Sequence, residues 1–328
     1  MTIGTDVAVA AEWLRRGALV GIPTETVYGL AANALDPEAV LQIFTAKKRP
    51  AFDPLIVHVH HQDQLAGLVT DAPQEARALM AQFWPGPLTL LLPKTSRVPD
   101  IVTSGLPSVA VRMPHHELTL ELLRALDFPL AAPSANPFGY VSPTTAAHVV
   151  DQLGESVPYV LDGGPCAVGV ESTIIGWEDG VPVLYRPGGL AIEDIEAVIG
   201  SVRLQNSAQI RQVLPVAPGM IESHYAPRKP LFRGDVTELL AARAGRAVGV
   251  IAFTNRFEGV VCETLSERGD LIEAARNLFA AMRRLDAAGI DCILAEVFPE
   301  EGLGRAINDR LRRASAGSNL ARSSTSPE

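Results

Sequence analysis

The chain is 328 residues long and 47% apolar, with 37 acidic against 28 basic residues and a formal net charge of −9. That length predicts about two domains around sizeable cores, which excludes a disordered chain, and the acidic balance excludes a surface built to grip nucleic acid by neutralising phosphates. Three cysteines, Cys166, Cys262 and Cys292, are too scattered for a disulfide framework or a zinc knuckle and point to a reducing cytoplasm.

At the N-terminus the acids come early and the basic pair late, the reverse of a signal peptide. No apolar run approaches the ~20 residues of a membrane span, so a soluble, cytoplasmic protein without membrane contact is expected. Thr5 or Asp6 can cap a first helix that Gly17 ends. An apolar strand over 18–22 empties into a Pro23-Thr24-Glu25-Thr26 turn. Asp36-Pro37 starts the next helix, because Asp accepts from orphan N–H groups and Pro suits the first helical position. Val40, Leu41 and Phe44 supply its apolar stripe, and Pro50 stops it behind the cationic Lys47-Lys48-Arg49 corner.

Further strands are expected at 55–59, 88–92, 109–111, 130–132, 159–161, 173–175 and 183–185. Loops dense in Gly and Pro separate them, notably Gly163-Gly164-Pro165 and Arg186-Pro187-Gly188-Gly189. With a helix over 191–199, this alternation predicts an α/β domain over 6–200. Residues 201–230 are polar and punctuated by proline, the composition of a linker, with an ordered-looking Ser223-His224-Tyr225-Ala226-Pro227 piece. A strand at 248–253, a helix at 270–288, a strand at 292–298 and a helix at 305–314 form a parallel crossover unit. They predict a small Rossmann-like domain over 231–317. The tail, 318–328, has nothing to bury and is expected to be disordered.

The chemistry collects at strand ends. Lys47 and Arg49 read either as a solvated C-terminal turn facing the helix dipole or as a phosphate clamp. In Ser108-Val109-Ala110-Val111-Arg112, alternation sends the valines to one face and Ser108, Ala110 and Arg112 to the other. A guanidinium beside small residues suits a buried anion, and an edge strand with a solvated face is the alternative. His58 shares a face with Ile56 and His60, where a half-buried polar group is the ordinary outcome. Ser134 and Asn136 follow an apolar strand, where open α/β sheets place ligands, although both are also ordinary turn residues. Glu171-Ser172-Thr173 opens another strand, and Arg186 ends one. There is no Gly-x-x-x-x-Gly-Lys-Ser/Thr loop, no Gly-x-Ser-x-Gly elbow and no His-Glu-x-x-His pair, so the site binds and positions anions without a protein nucleophile.

In combination these segments resemble a known family. Pro23–Leu30, Lys47-x-Arg49-Pro50 followed by Pro54–His58, Ser108–Pro114, Ser134–Asn136 with Gly139–Thr144, Gly169–Ile174 and Tyr185–Gly188 are similar to the YrdC-like domain of threonylcarbamoyl-AMP synthases. The 223–227 piece and 304–315 resemble the long, two-domain form. The resemblance implies an open twisted α/β sheet with a concave, charged face, followed by a linker and a small Rossmann-like α/β domain. The ordered-looking 223–227 piece, with Tyr225 in the place of a family ATP contact, leads to the expectation that the linker acts as a lid.

It also implies a reaction in which L-threonine, bicarbonate and ATP give threonylcarbamoyl-AMP and pyrophosphate for threonylcarbamoyladenosine in tRNA. Downstream tRNA threonylcarbamoyl-transfer proteins would be the partners, with direct tRNA contact weak. Carried over position by position, Thr26, His58, Arg112, Ala132 and Ser172 correspond to the threonine set. Arg49, Asp53, Ser108, Ser134, Asn136, Ser142, Arg186 and Tyr225 correspond to the ATP set. Lys47 and Arg49 would stabilise charge, and Mg²⁺ would travel on the phosphates without a protein cage. Asp53 stands where the family more often has a neutral residue, and a carboxylate facing triphosphate needs Mg²⁺ or a ribose hydroxyl between them. Two rival readings are a non-catalytic YrdC-like module that binds double-stranded RNA, and a carbamoyltransferase related to hydrogenase maturation factors. The second would need zinc-finger and acylphosphatase-like segments that are missing.

Overall fold

A computed structural model of the chain describes residues 1–205, 217–218 and 224–323. Most of the predicted lid over 201–230 therefore lies outside the described residues.

The first part of the chain supplies β1 Thr2–Gly4, β2 Val20–Ile22, β3 Gly29–Asn33, β4 Ile56–His58, β5 Leu88–Pro93, β6 Ser108–Arg112, β7 Leu130–Ala131, β8 Tyr159–Leu161, β9 Thr173–Glu178, β10 Val181–Arg186 and β11 Arg203–Leu204. They form one mixed, 11-stranded sheet in the order β1-β8-β2-β3-β7-β4-β6-β5-β9-β10-β11. A second sheet, of 4 parallel strands, holds β12 Leu231–Arg233, β13 Val248–Ala252, β14 Val261–Thr264 and β15 Cys292–Ala295 in the order β12-β15-β13-β14. The architecture is the α/β class that the alternation predicts, in two domains.

Local chemistry explains the first two helix starts. Asp6 accepts from the N–H groups of Ala8 and Val9, and Asp36 from those of Glu38 and Ala39 with Pro37 behind it. Lys48, at φ 52°, ends the Pro37–Lys47 helix in the left-handed region and turns the chain toward Arg49. β6 lies between β4 and β5, so it is an interior strand and not a solvated edge. Val109 and Val111 enter the main core, and His58 pairs in register with Arg112, which puts the two side chains side by side.

Several elements depart from the sequence expectation. After the Pro-Thr-Glu-Thr turn comes a strand, β3, antiparallel to β2, before the Asp36-capped helix. Its small residues, Gly29, Ala31 and Ala32, give a weak strand signal, and pairing on both sides supplies what propensity does not. Helices Gln74–Phe83, Glu117–Ala125 and Ala146–Leu153, which periodicity did not single out, cover the large sheet. The last helix runs from Gly304 to Ser323, past 314 and into the tail expected to be disordered. Ala, Leu and Arg are good helix formers, and extending an existing helix avoids the cost of a new nucleus.

The two domains share a core. Val27, Val141, Val170 and Tyr225 cluster with Ala275, Phe279 and Met282 of the Leu271–Ala287 helix. Polar contacts reinforce the join: the Tyr140 hydroxyl donates to Asp286 at 2.5 Å, and Arg283 donates to the carbonyl of Ser142 at 3.2 Å.

Candidate functional site

Where β4, β6 and β10 end near the 24–29 loop, a cleft opens, closed on one side by Pro218, His224 and Tyr225. The 24–27 turn is built by its own hydroxyls. Thr24 Oγ1 accepts from the N–H groups of Thr26 and Val27 at 3.1 and 3.2 Å and lies 2.8 Å from Thr26 Oγ1. This is the turn chemistry that Ser and Thr favour, and it fixes the Thr26 hydroxyl, which is fully buried.

Arg112, at the end of β6, is buried and pairs through Nη2 with Glu25 Oε2 at 2.7 Å; its Nε donates to the Gly86 carbonyl at 3.3 Å. Beside it, burial and then the Arg112 charge push the His58 pKa down to about 3, so this imidazole is neutral at any working pH. Its Nδ1 has no hydrogen-bond partner among the described residues, which leaves a buried polar atom suited to a ligand.

The opposite wall is a second network. Arg186 Nη2 donates to Ser172 Oγ at 3.1 Å and to the Ser172 carbonyl at 2.9 Å, and Ser172 Oγ lies 2.7 Å from Thr89 Oγ1. Glu171, on the lining, accepts from Ser142 Oγ at 2.5 Å and from Arg310 Nε at 2.8 Å. Arg310, and to a lesser degree Arg186 and Ser142, hold its pKa below the usual carboxylate range against the effect of burial.

Of the predicted residues, Thr26, Arg49, His58, Arg112, Ala132, Ser134, Ser172, Arg186 and Tyr225 line this one cleft. Five do not. Lys47 is buried behind it and donates to the carbonyls of Ser134 and Asn136 at 2.5 Å each. Burial, then Arg49, pushes its pKa down. Asn136 ties off the same loop by donating to Pro137 and Tyr140 carbonyls. Asp53 is the counter-ion of Arg49, 2.9 Å from Nη2, while Arg49 also donates to the carbonyls of Asp53 and Pro54. That pairing accounts for a buried carboxylate at 53. Ser142 turns to Glu171. Ser108 sits at the start of β6, about 13 Å of strand from Arg112.

Sequence reasoning missed the counter-ions. Glu25 and Glu171 both sit inside segments it singled out, and the usable signal was that a buried arginine requires a nearby carboxylate. His224 it named without a role. That ring packs on Tyr225 at 4.2 Å, and Tyr225 on Phe279 at 5.7 Å between centroids. Burial, then Arg49 and Lys47, keeps His224 neutral.

A family model described as "Telomere recombination" matches residues 12–188, and one described as "Threonylcarbamoyl-AMP synthase, C-terminal domain" matches 190–316. A curated threonylcarbamoyl-AMP synthase of Pyrococcus abyssi is 46% identical over 322 residues, covering 94% of each chain. That of Bacillus subtilis is 42% identical over 323 residues, covering 95% of this chain and 93% of its own. The crystal structure of P. abyssi Sua5 complexed with L-threonine superimposes with a TM-score of 0.88 at 44% identity, covering 95% of this chain and 94% of the other.

Proposed function

The chain belongs to the threonylcarbamoyl-AMP synthase family, and from that premise we propose that it condenses L-threonine, bicarbonate and ATP into threonylcarbamoyl-AMP and pyrophosphate. The chemistry is adenylyl transfer. The threonine amine and bicarbonate form a carbamate with loss of water. A carbamate oxygen then attacks the α-phosphorus of ATP, and the bond to the β-phosphate bridging oxygen breaks as pyrophosphate leaves. Two anions must meet for this, so the observation that carries the reading is Arg49, Arg112 and Arg186 converging on one cleft in an acidic protein.

In this reading Arg112 takes the threonine carboxylate while Glu25 balances the remaining charge. Thr26 and Ser172 offer hydroxyls beside the methyl-lined surface at Ala132, and neutral His58 is a hydrogen-bond partner without charge. Arg49, Ser134, Arg186 and Tyr225 face the nucleotide. Lys47, Asn136, Asp53 and Ser142 act through the neighbours they hold, and Ser108 has no role in this cleft.

Magnesium fits here as a companion of ATP. Glu171, the carboxylate on the described lining, is already taken by Arg310 and Ser142, which leaves phosphate oxygens as the donors. When bound, the ion would offset charge on the pyrophosphate.

Threonylcarbamoyl-AMP is a mixed anhydride, so a tRNA-directed transfer protein must consume it. A non-catalytic RNA-binding role has no use for the buried Arg112, His58 and Ser172 surface, and synthases match 94% and 95% of the chain. No described helix is long and apolar enough to cross a membrane. The test is pyrophosphate release from ATP by the purified chain. Release that requires both threonine and bicarbonate is expected, and release indifferent to threonine would overturn the reading.

A further inference from the structure

Among the described residues, one side chain of the small domain touches several walls of the cleft at once. Arg310, on the Gly304–Ser323 helix, is fully buried and donates from Nε to Glu171 Oε2 at 2.8 Å. Its Nη1 donates to the Pro187 carbonyl at 2.8 Å, next to Arg186, and to Asp309 at 2.9 Å. The guanidinium carbon lies 5.1 Å from the centroid of the Tyr225 ring. One arginine therefore touches the Glu171 wall, the 186–188 turn and the aromatic side of the cleft. Beyond it, Glu171 takes the Ser142 hydroxyl at 2.5 Å, and Arg283 of the same domain takes the Ser142 carbonyl at 3.2 Å.

Stability alone is a poor reason for this arrangement. Burying a guanidinium and a carboxylate is costly, and well-packed apolar side chains of similar volume often stabilise as much or more. What the guanidinium provides is direction: its rigid fork is anchored by Nη1 on the Pro187 carbonyl and Asp309, so Nε meets the Glu171 carboxylate from a fixed angle.

We propose that Arg310 is a positioning residue of the cleft, orienting the Glu171 carboxylate and through it the Ser142 hydroxyl and the Ser172 wall, so that the small domain completes the site. This rests on the reading of the cleft as the synthase centre. Among the described residues, the charged and titratable groups facing Glu171 are Arg310, Arg186, Lys47 and Tyr225. Arg310 is the largest of the influences that keep Glu171 ionised; burial pushes the other way. Without Arg310 the main influence opposing burial is gone, so Glu171 holds a proton more readily, and a protonated Glu171 would no longer accept in the same way from Ser142.

The experiment compares wild type, Arg310→Met, Arg310→Lys, Glu171→Gln and Arg310→Met/Glu171→Gln in steady-state pyrophosphate release between about pH 6 and about pH 9, the range into which a buried glutamate can rise. Arg310→Met is expected to lower kcat by about a hundredfold, the scale of a roughly 1 Å misplacement, and its rate relative to wild type should climb with pH. The double variant should be no worse than Glu171→Gln and should lose that pH dependence. Arg310→Lys keeps the charge without the fork, so its deficit should be smaller and flat with pH.

A pH-independent deficit in Arg310→Met, or additive losses in the double variant, would reduce Arg310 to a domain tie and overturn the proposal. Wild-type kcat in Arg310→Lys would overturn the orienting role, and that variant decides the matter if Arg310→Met does not fold. If wild type itself releases no pyrophosphate, the synthase reading is what fails. The proposal is then judged by the infrared carboxylate bands of Glu171, titrated in Arg310→Lys against wild type with Glu171→Gln as the blank. A band unchanged in position and in titration would refute it.

Discussion

The Arg112 guanidinium and the Glu25 carboxylate form an ion pair 2.7 Å apart, with both side chains almost out of solvent. Arg112→Ala therefore does two things. It removes the partner proposed for the threonine carboxylate, and it strands a buried carboxylate at a cost of about 3–5 kcal/mol. Threonine-dependent pyrophosphate release should vanish and the urea midpoint should fall. Arg112→Ala/Glu25→Gln should recover much of the stability and none of the activity. Calorimetric threonine affinity equal to wild type in the double variant would remove Arg112 from the carboxylate role.

Gly188 is irreplaceable for a reason of distance. A Cβ there would lie 2.3 Å from the Glu171 carbonyl oxygen, 2.4 Å from the Ser172 carbonyl carbon and 2.5 Å from the Thr173 nitrogen. These are backbone atoms, which cannot rotate aside, so Gly188→Ala must push the 171–173 wall outward. A stability loss of about 1–3 kcal/mol is expected from overpacking. A fall in kcat/KM for threonine should accompany it, measured beside a melting curve. Unchanged kinetics would mean that the Ser172 wall tolerates displacement.

Ser172 and Thr26 enter the cleft already bonded, to Thr89 and Arg186 on one side and to Thr24 on the other. Hydroxyls fixed in this way favour one ligand shape. Serine, which lacks the β-methyl of threonine, should lose about 1–3 kcal/mol in kcat/KM, a factor of roughly 10–200. Competition kinetics with both amino acids measure it, and equal efficiencies would contradict a pocket fitted to the methyl.

His58 sets an acid limit on stability. Burial and Arg112 hold its folded pKa at about 3, whereas an unfolded histidine titrates near 6.5. The unfolded state therefore binds the extra proton first. Stability is unaffected above about pH 6.5 and declines below it, by up to about 1.4 kcal/mol per pH unit, until the folded group titrates. His58→Asn should flatten that part of the profile in denaturant melts recorded from about pH 7 down to about pH 4. A variant with the wild-type slope would assign the acid sensitivity to other groups.

The Asp6- and Asp36-capped helix starts and most strands were legible because capping and alternation act within a few residues. Asp36-Pro37 needs only its own neighbours, and the alternation that set Arg112 opposite Val109 and Val111 holds in the structure. β3 was not legible, since Gly29 and the alanines carry little propensity and become a strand only by pairing with β2 and β7. The cations at strand ends were visible for the same local reason, as were Thr26, Ser134 and Ser172.

What the sequence by itself determined is which chemistry is present: an acidic α/β protein that gathers arginines and hydroxyls at loop ends, in the order of a threonylcarbamoyl-AMP synthase. Which of those groups line the cleft was decided by tertiary packing. Lys47 is turned away by carbonyls 87 and 89 residues distant, and Glu171 is held by Arg310 across 139 residues. A buried charge is stable only beside a counter-ion or enough hydrogen-bond acceptors, and propensity, which acts over single turns and strands, carries no information about which distant segment will bring them.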